Sequence, residues 1–73
     1  MTKPIDYVRA TGLVLYGEQW QSALAADLKV SDRAVRRWVA GDANPPEDIA
    51  PRLRALLDKR LLKLRAVRIS LPK

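Results

Sequence analysis

The chain has 73 residues, with no cysteine, no histidine, and 14 Lys and Arg against 8 Asp and Glu, a formal net charge of +6. This length allows one domain, spanning residues 1–73, near the lower edge of what folds unaided, since so short a chain buries only about 60% of its surface. Without Cys or His, disulfide frameworks, the usual Cys/His zinc sites and His-based catalysis are excluded.

The carboxylates Asp6, Glu18, Asp27, Asp32, Asp42, Glu47, Asp48 and Asp58 show no paired spacing for acid–base work. The chain therefore does not read as an enzyme, and no catalytic residue, cofactor or metal ligand is expected. No apolar run approaches the roughly 20 residues of a membrane span, and the opening MTKPIDYV lacks an apolar signal core. A cytoplasmic protein with no membrane partner is the expectation. Charge is unevenly placed: residues 1–50 hold 6 basic and 7 acidic residues, a net −1, whereas residues 51–73 hold 8 basic and 1 acidic, a net +7. Such a surplus is the electrostatic footprint of a nucleic-acid binder, and equally what a solvated helix surface looks like.

Residues 5–16, IDYVRATGLVLY, read as a first helix with Ile5, Val8, Leu13 and Tyr16 apolar and Gly17 as its stop. Gly12 inside it costs about 1 kcal/mol relative to alanine, which points to close approach by a neighbour or to a break. Tyr7, Tyr16 and Trp20 either fill the core of so small a protein or contact bases and sugars.

Residues 20–41 hold two short helical patterns. In WQSALAADL, Leu24, Ala25 and Leu28 share one face and Asp27 lies off it. A connection of about three residues, centred on Lys29 and Val30, leads to Ser31, which stands where an N-cap belongs, with Asp32 favouring the dipole of the helix that follows. In that second helix Val35, Trp38 and Val39 make an inward stripe, and Arg33, Arg36, Arg37 and Ala40 share the opposite face.

At these residues the chain resembles the helix-turn-helix of the phage Cro and lambda-repressor-like (XRE-type) DNA-binding family. The likeness rests on Gln21 opening the first helix, the small Ala25 where the helices approach, Leu28 before the turn, Val30 in it, Ser31 starting the second helix, and Val35 and Trp38. It extends more loosely over residues 41–46, a glycine followed by a proline-led loop. The turn position usually taken by glycine is Lys29 here, so either Lys29 bears a left-handed conformation at a cost of roughly 1 kcal/mol or more, or the turn differs.

GDANPPED, residues 41–48, is a loop: Gly41 ends the arginine-bearing helix and Pro45 and Pro46 cannot continue it. A helix resumes at about Asp48, whose side chain can cap it, with Pro51 tolerated in the first turn. Ile49, Leu53, Leu56, Leu57, Leu61 and Leu64 then recur at helical spacing among basic residues. This leucine stripe is longer than a core of this size can cover, so Leu57, Leu61 and Leu64 are expected to meet something else. In the tail Val67, Ile69 and Leu71 alternate with Arg68 and Ser70, the pattern of a short strand or of a frayed terminus. Strand pairing at a two-fold axis is how some Cro-like proteins dimerise, so the resemblance points the tail, Val67, Ile69 and Leu71, to the same contact as the uncovered Leu57, Leu61 and Leu64, and residues 48–73 are expected to be a dimerisation segment.

The expected fold is all-α: a compact lambda-repressor-like domain of four to five helices, with a long C-terminal amphipathic helix and a short C-terminal strand. Arginine bonds bidentately to guanine O6 and N7 in the major groove, which is the expectation for Arg33 and Arg36, while Arg37 reaches bases or phosphate. Asp32 accepts from a cytosine amino group or pairs with Arg36 at i, i+4 and orients it. Ser31 lies where such helices touch the duplex, and Ser22 and Lys29 are candidate phosphate contacts. The resemblance assigns Gln21 a backbone contact and a role in buttressing the reading helix. On a bland reading, the arginines are the solvated face of an ordinary helical hairpin.

The leading functional expectation is a homodimeric transcriptional regulator, a repressor or autorepressor of phage or mobile-element type, binding an inverted-repeat operator in double-stranded DNA. The alternatives are a DNA-binding accessory subunit of a terminase or recombinase assembly, an antitoxin, or a protein-interaction adaptor. There is no room for a ligand domain, so no small-molecule effector is expected.

Overall fold

In a computed structural model describing residues 3–72, the chain is all-helical. Four helices follow in order: α1 (Pro4–Tyr16), α2 (Trp20–Leu28), α3 (Asp32–Ala40) and α4 (Ile49–Ser70). α1 opens on Pro4, whose missing N–H costs nothing in a first turn, and the Asp6 carboxylate accepts from the Lys3 amide at 3.1 Å. α1 ends at Gly17, at a φ of 81°. It runs unbroken through Gly12, and the reason for the glycine is the indole of Trp20: a Cβ at Gly12 would lie 2.2 Å from Trp20 Cε3. Of the two readings of Gly12, close approach holds.

α2 and α3 stop in the same way. Val30 N–H bonds to Ala25 O and Lys29 N–H to Ala26 O; Asp42 N–H bonds to Arg37 O and Gly41 N–H to Trp38 O. Both are Schellman ends with a left-handed residue at the pivot, Gly41 at φ 85° and Lys29 at φ 61°, ψ 41°. Lys29 therefore bears the strained conformation. Ser31 caps α3, its Oγ accepting from the Ala34 amide at 3.0 Å.

The core gathers from all four helices: Val8 of α1, Trp20, Leu24, Ala25 and Leu28 of α2, Val35 and Trp38 of α3, and Ile49 and Leu53 of α4. α1 packs on each of the other three. Leu13, expected among the apolar positions of α1, is 45% exposed, because the buried side of the helix passes through Val8, Thr11 and Gly12 instead. Trp20 is core and Tyr16 half-buried, but Tyr7 is 44% exposed.

Two expectations for α4 fail. Asp48 stands at its N-cap but its side chain makes no capping bond; the start is held by backbone bonds, Ile49 N–H to Pro46 O at 3.0 Å and Arg52 N–H to Asp48 O at 3.3 Å. The C-terminal strand is absent among the described residues: Val67 and Ile69 are helical, and α4 runs 22 residues to Ser70. Extending a formed helix adds one bond per residue fixed, whereas a lone strand has no ladder to join, so propagation wins over the alternating pattern. The helix stops where Pro72 forces the preceding residue extended, Leu71 at φ −76°, ψ 142°. No described helix is long and apolar enough to cross a membrane.

At about 1.5 Å per residue α4 is about 33 Å long and α1 about 20 Å, so α4 overhangs the body. Residues 61–72 are exposed throughout, and the molecule measures 48 × 23 × 21 Å.

Candidate functional site

The site is built on α2, the three-residue connection and α3. Val35 and Trp38 are buried, at 0% and 6% exposure, which turns the opposite side of α3 outward. On that side Arg33, Arg36 and Arg37 are all exposed. Successive residues advance 100° around a helix, so the three lie within about a third of its circumference. Among the described residues none of the three forms an ion pair with a carboxylate. Three unpaired guanidinium groups on one short helix offer planar forks of donors, a geometry that matches a carboxylate, a phosphate or a guanine edge.

Asp32 does not pair with Arg36. Its Oδ2 accepts from Ser22 Oγ at 2.9 Å, a bond that ties the first turn of α2 to the first turn of α3. Ser22 thus ties the two helices together, and Gln21 is half-buried beside it. Sequence spacing did not reveal this bond, since which first-turn residue of α2 meets α3 depends on the crossing of the helices. Ser31 is exposed, with its hydroxyl accepting the cap bond, and Lys29 is exposed on the connection itself.

Further bonds lock this pair of helices to the rest. Arg52 of α4 donates to Leu28 O, the last residue of α2. Tyr16 OH donates to Asp27 Oδ2, and the Arg60 guanidinium lies 5.7 Å from the centroid of the Tyr16 ring while donating to Leu15 O at 3.3 Å. Burial, and then the Asp27 carboxylate, push the Tyr16 hydroxyl up to about 12, against a smaller opposing pull from Arg60. Among the described residues no group of three or more carboxylates gathers as a metal site.

Of the expected interface residues, Leu57 is half-buried, while Leu61 (62%), Leu64 (59%), Val67 (57%), Ile69 (74%) and Leu71 (63%) are exposed. The structure adds Val14, at 77% exposure, which with Leu15 lines a hollow shared with Leu57, Arg60, Leu61 and Leu64. Nothing in the spacing of α1 singled out Val14; its place beside α4 comes only from the packing. Leu62, also exposed, lies on a neighbouring face with Asp58 and Arg65. Compared with known protein families, curated proteins and solved structures, the chain matches none.

Proposed function

We propose that the protein is a sequence-specific DNA-binding regulator of the helix-turn-helix kind, with α3 as the helix that enters the major groove. The observation that carries this reading is the exposed, unpaired trio Arg33, Arg36 and Arg37 on a helix whose other side is anchored by Val35 and Trp38. The Ser31 cap and the Ser22–Asp32 bond support it, because they fix the start of α3 against α2, and a reading helix needs a fixed angle of entry. Arg33 and Arg36 bond to guanine edges, Arg37 to a base or a phosphate, and Gln21, Lys29 and Ser31 face the sugar–phosphate backbone, whereas the Ser22 proton, expected for a phosphate, is already donated to Asp32. Asp32, engaged by Ser22, acts as a positioning residue.

One reading helix contacts too few base pairs for useful specificity in a genome, so two copies about 34 Å apart are required to read successive major grooves of an inverted repeat. The exposed Leu61, Leu64 and Val14, with the half-buried Leu57 beside them, support a homodimer through the overhanging end of α4, with helix rather than strand as the pairing element. Repression, including autorepression, in the cytoplasm is the role such a dimer fills. A second reading has its own support: apolar residues also occupy the neighbouring face, Leu62 and Ile69, which suits docking of α4 onto a larger assembly as an accessory subunit.

The test is a footprint on promoter DNA with purified protein, followed by titration of the protected site and of a random duplex. Arg33→Ala and Arg36→Ala each cost roughly 1–3 kcal/mol on the preferred site and much less on random DNA. Equal losses on both duplexes would mean that α3 does not read bases. Light scattering of the wild type and of Leu61→Asp decides between the two readings of α4: a protein that stays monomeric alone and on its site excludes the homodimer.

A further inference from the structure

A second basic surface lies outside the arginine face. Between the end of α2 and the middle of α4 is an open groove of about 260 Å³, walled by Lys29 on one side and by Lys59 and Lys63 on the other, over Leu56 and Ala26. Two other charged groups line it: Asp27, whose carboxylate keeps its charge while accepting from Tyr16 OH, and Arg60, which lies on the Tyr16 ring, donates to Leu15 O and offsets that charge, so the lysines leave the groove with a formal surplus of +3. Lys29, Lys59 and Lys63 are exposed and, among the described residues, pair with no carboxylate. Three ammonium groups thus converge from two elements that are far apart in sequence.

Resting on the proposed DNA-binding reading, we propose that this groove is a phosphate-binding track that holds the DNA backbone beside the half-site read by α3. Position supports it: Lys29 lies two residues before the Ser31 cap of α3, so the groove opens beside the start of the arginine-bearing helix. Residue type supports it too. Lysine is a point charge that binds phosphate without demanding planar geometry, whereas the reading face carries only arginine. Lys59 and Lys63 are separated by a rise of about 6 Å on one side of α4, so both can lie along a single stretch of backbone. The leucine helix therefore contributes a backbone clamp on one face in addition to its apolar stripe.

Lys59→Gln/Lys63→Gln, with the milder Lys63→Gln alone, tests the groove, since neither side chain supports the core and helix content by circular dichroism is expected to match the wild type. Binding is followed by fluorescence anisotropy on the footprinted duplex and on a random duplex between 50 and 200 mM salt. Each phosphate contact contributes about −0.9 to the log–log slope, or about 3.5-fold in affinity over that range. The double variant is expected to have a slope shallower by about 1.8 on both duplexes, so that the wild type loses about 12-fold more affinity than it does; the single variant falls halfway. Wild-type binding with unchanged slopes in both variants overturns the groove and leaves the reading of α3 standing. A wild type that binds neither duplex at 50 mM salt overturns both. Unchanged DNA slopes together with a lysine-dependent grip on a polyglutamate peptide would assign the groove to an acidic protein and overturn the phosphate track.

Discussion

The two halves of α4 have similar sequences and opposite fates. Residues 49–60 carry Ile49 and Leu53 into the core, hold Leu28 O through Arg52 and cover Tyr16 with Arg60. Residues 61–70, with one more large apolar side chain than residues 49–60, are exposed on every side. Composition does not separate them. α1 is 13 residues against 22 in α4, so the partner helix simply ends before α4 does. A helix can thus continue on propagation alone past the point where packing stops, and its apolar face there is available for another molecule rather than for the fold.

The sharpest way to break this contrast is to truncate one leucine in each half. Leu53→Ala, at a site 3% exposed, is expected to cost about 2–5 kcal/mol by urea unfolding. Leu64→Ala is expected to stay within about 0.5 kcal/mol for the dilute monomer while weakening self-association. Equal costs in dilute protein would show that the overhanging half is packed after all.

Added volume should divide the molecule in the same way. Gly12→Ala pushes a methyl group into the Trp20 indole and is expected to lower stability by about 1–3 kcal/mol, read as a drop in melting temperature. Ala66→Leu, on the exposed end of α4, should leave the melting temperature of the monomer unchanged.

A glycine substitution should have opposite signs in the two regions. At Lys29, held at φ 61°, Lys29→Gly relieves strain and is expected to stabilise the body by about 0.5–1 kcal/mol. Within the overhang, Ala66→Gly is expected to cost helix content, as glycine does by about 1 kcal/mol in a helix interior. A stabilised helix end or a destabilised turn would reverse the assignment of strain.

The smallest effect concerns pH. The Tyr16 hydroxyl is raised to about 12, above its ordinary value of 10.0, so it binds its proton more tightly folded than unfolded. Its contribution is complete below about pH 10 and is lost as the pH climbs from about 10 toward 12. Unfolding of the wild type should steepen across that window relative to Tyr16→Phe; coincident pH profiles would remove Tyr16 as a link between α1, α2 and α4.

What the amino-acid sequence determined by itself was local. The two short helices, their three-residue connection, the Ser31 cap, the stops at Gly17 and Gly41 and the inward stripe of Val35 and Trp38 all follow from interactions spanning at most one or two turns. The arginine face was legible for the same reason, since it is the complement of that stripe. Tertiary structure decided what depends on distant partners. Ser22 rather than Arg36 meets Asp32, Tyr16 meets Asp27 and Arg60, and Lys29 meets Lys59 and Lys63 across one groove. The tail shows the limit most plainly: alternation at Val67, Ile69 and Leu71 signals a strand only if a neighbouring strand exists, and with none among the described residues the helix that precedes it runs on to Ser70.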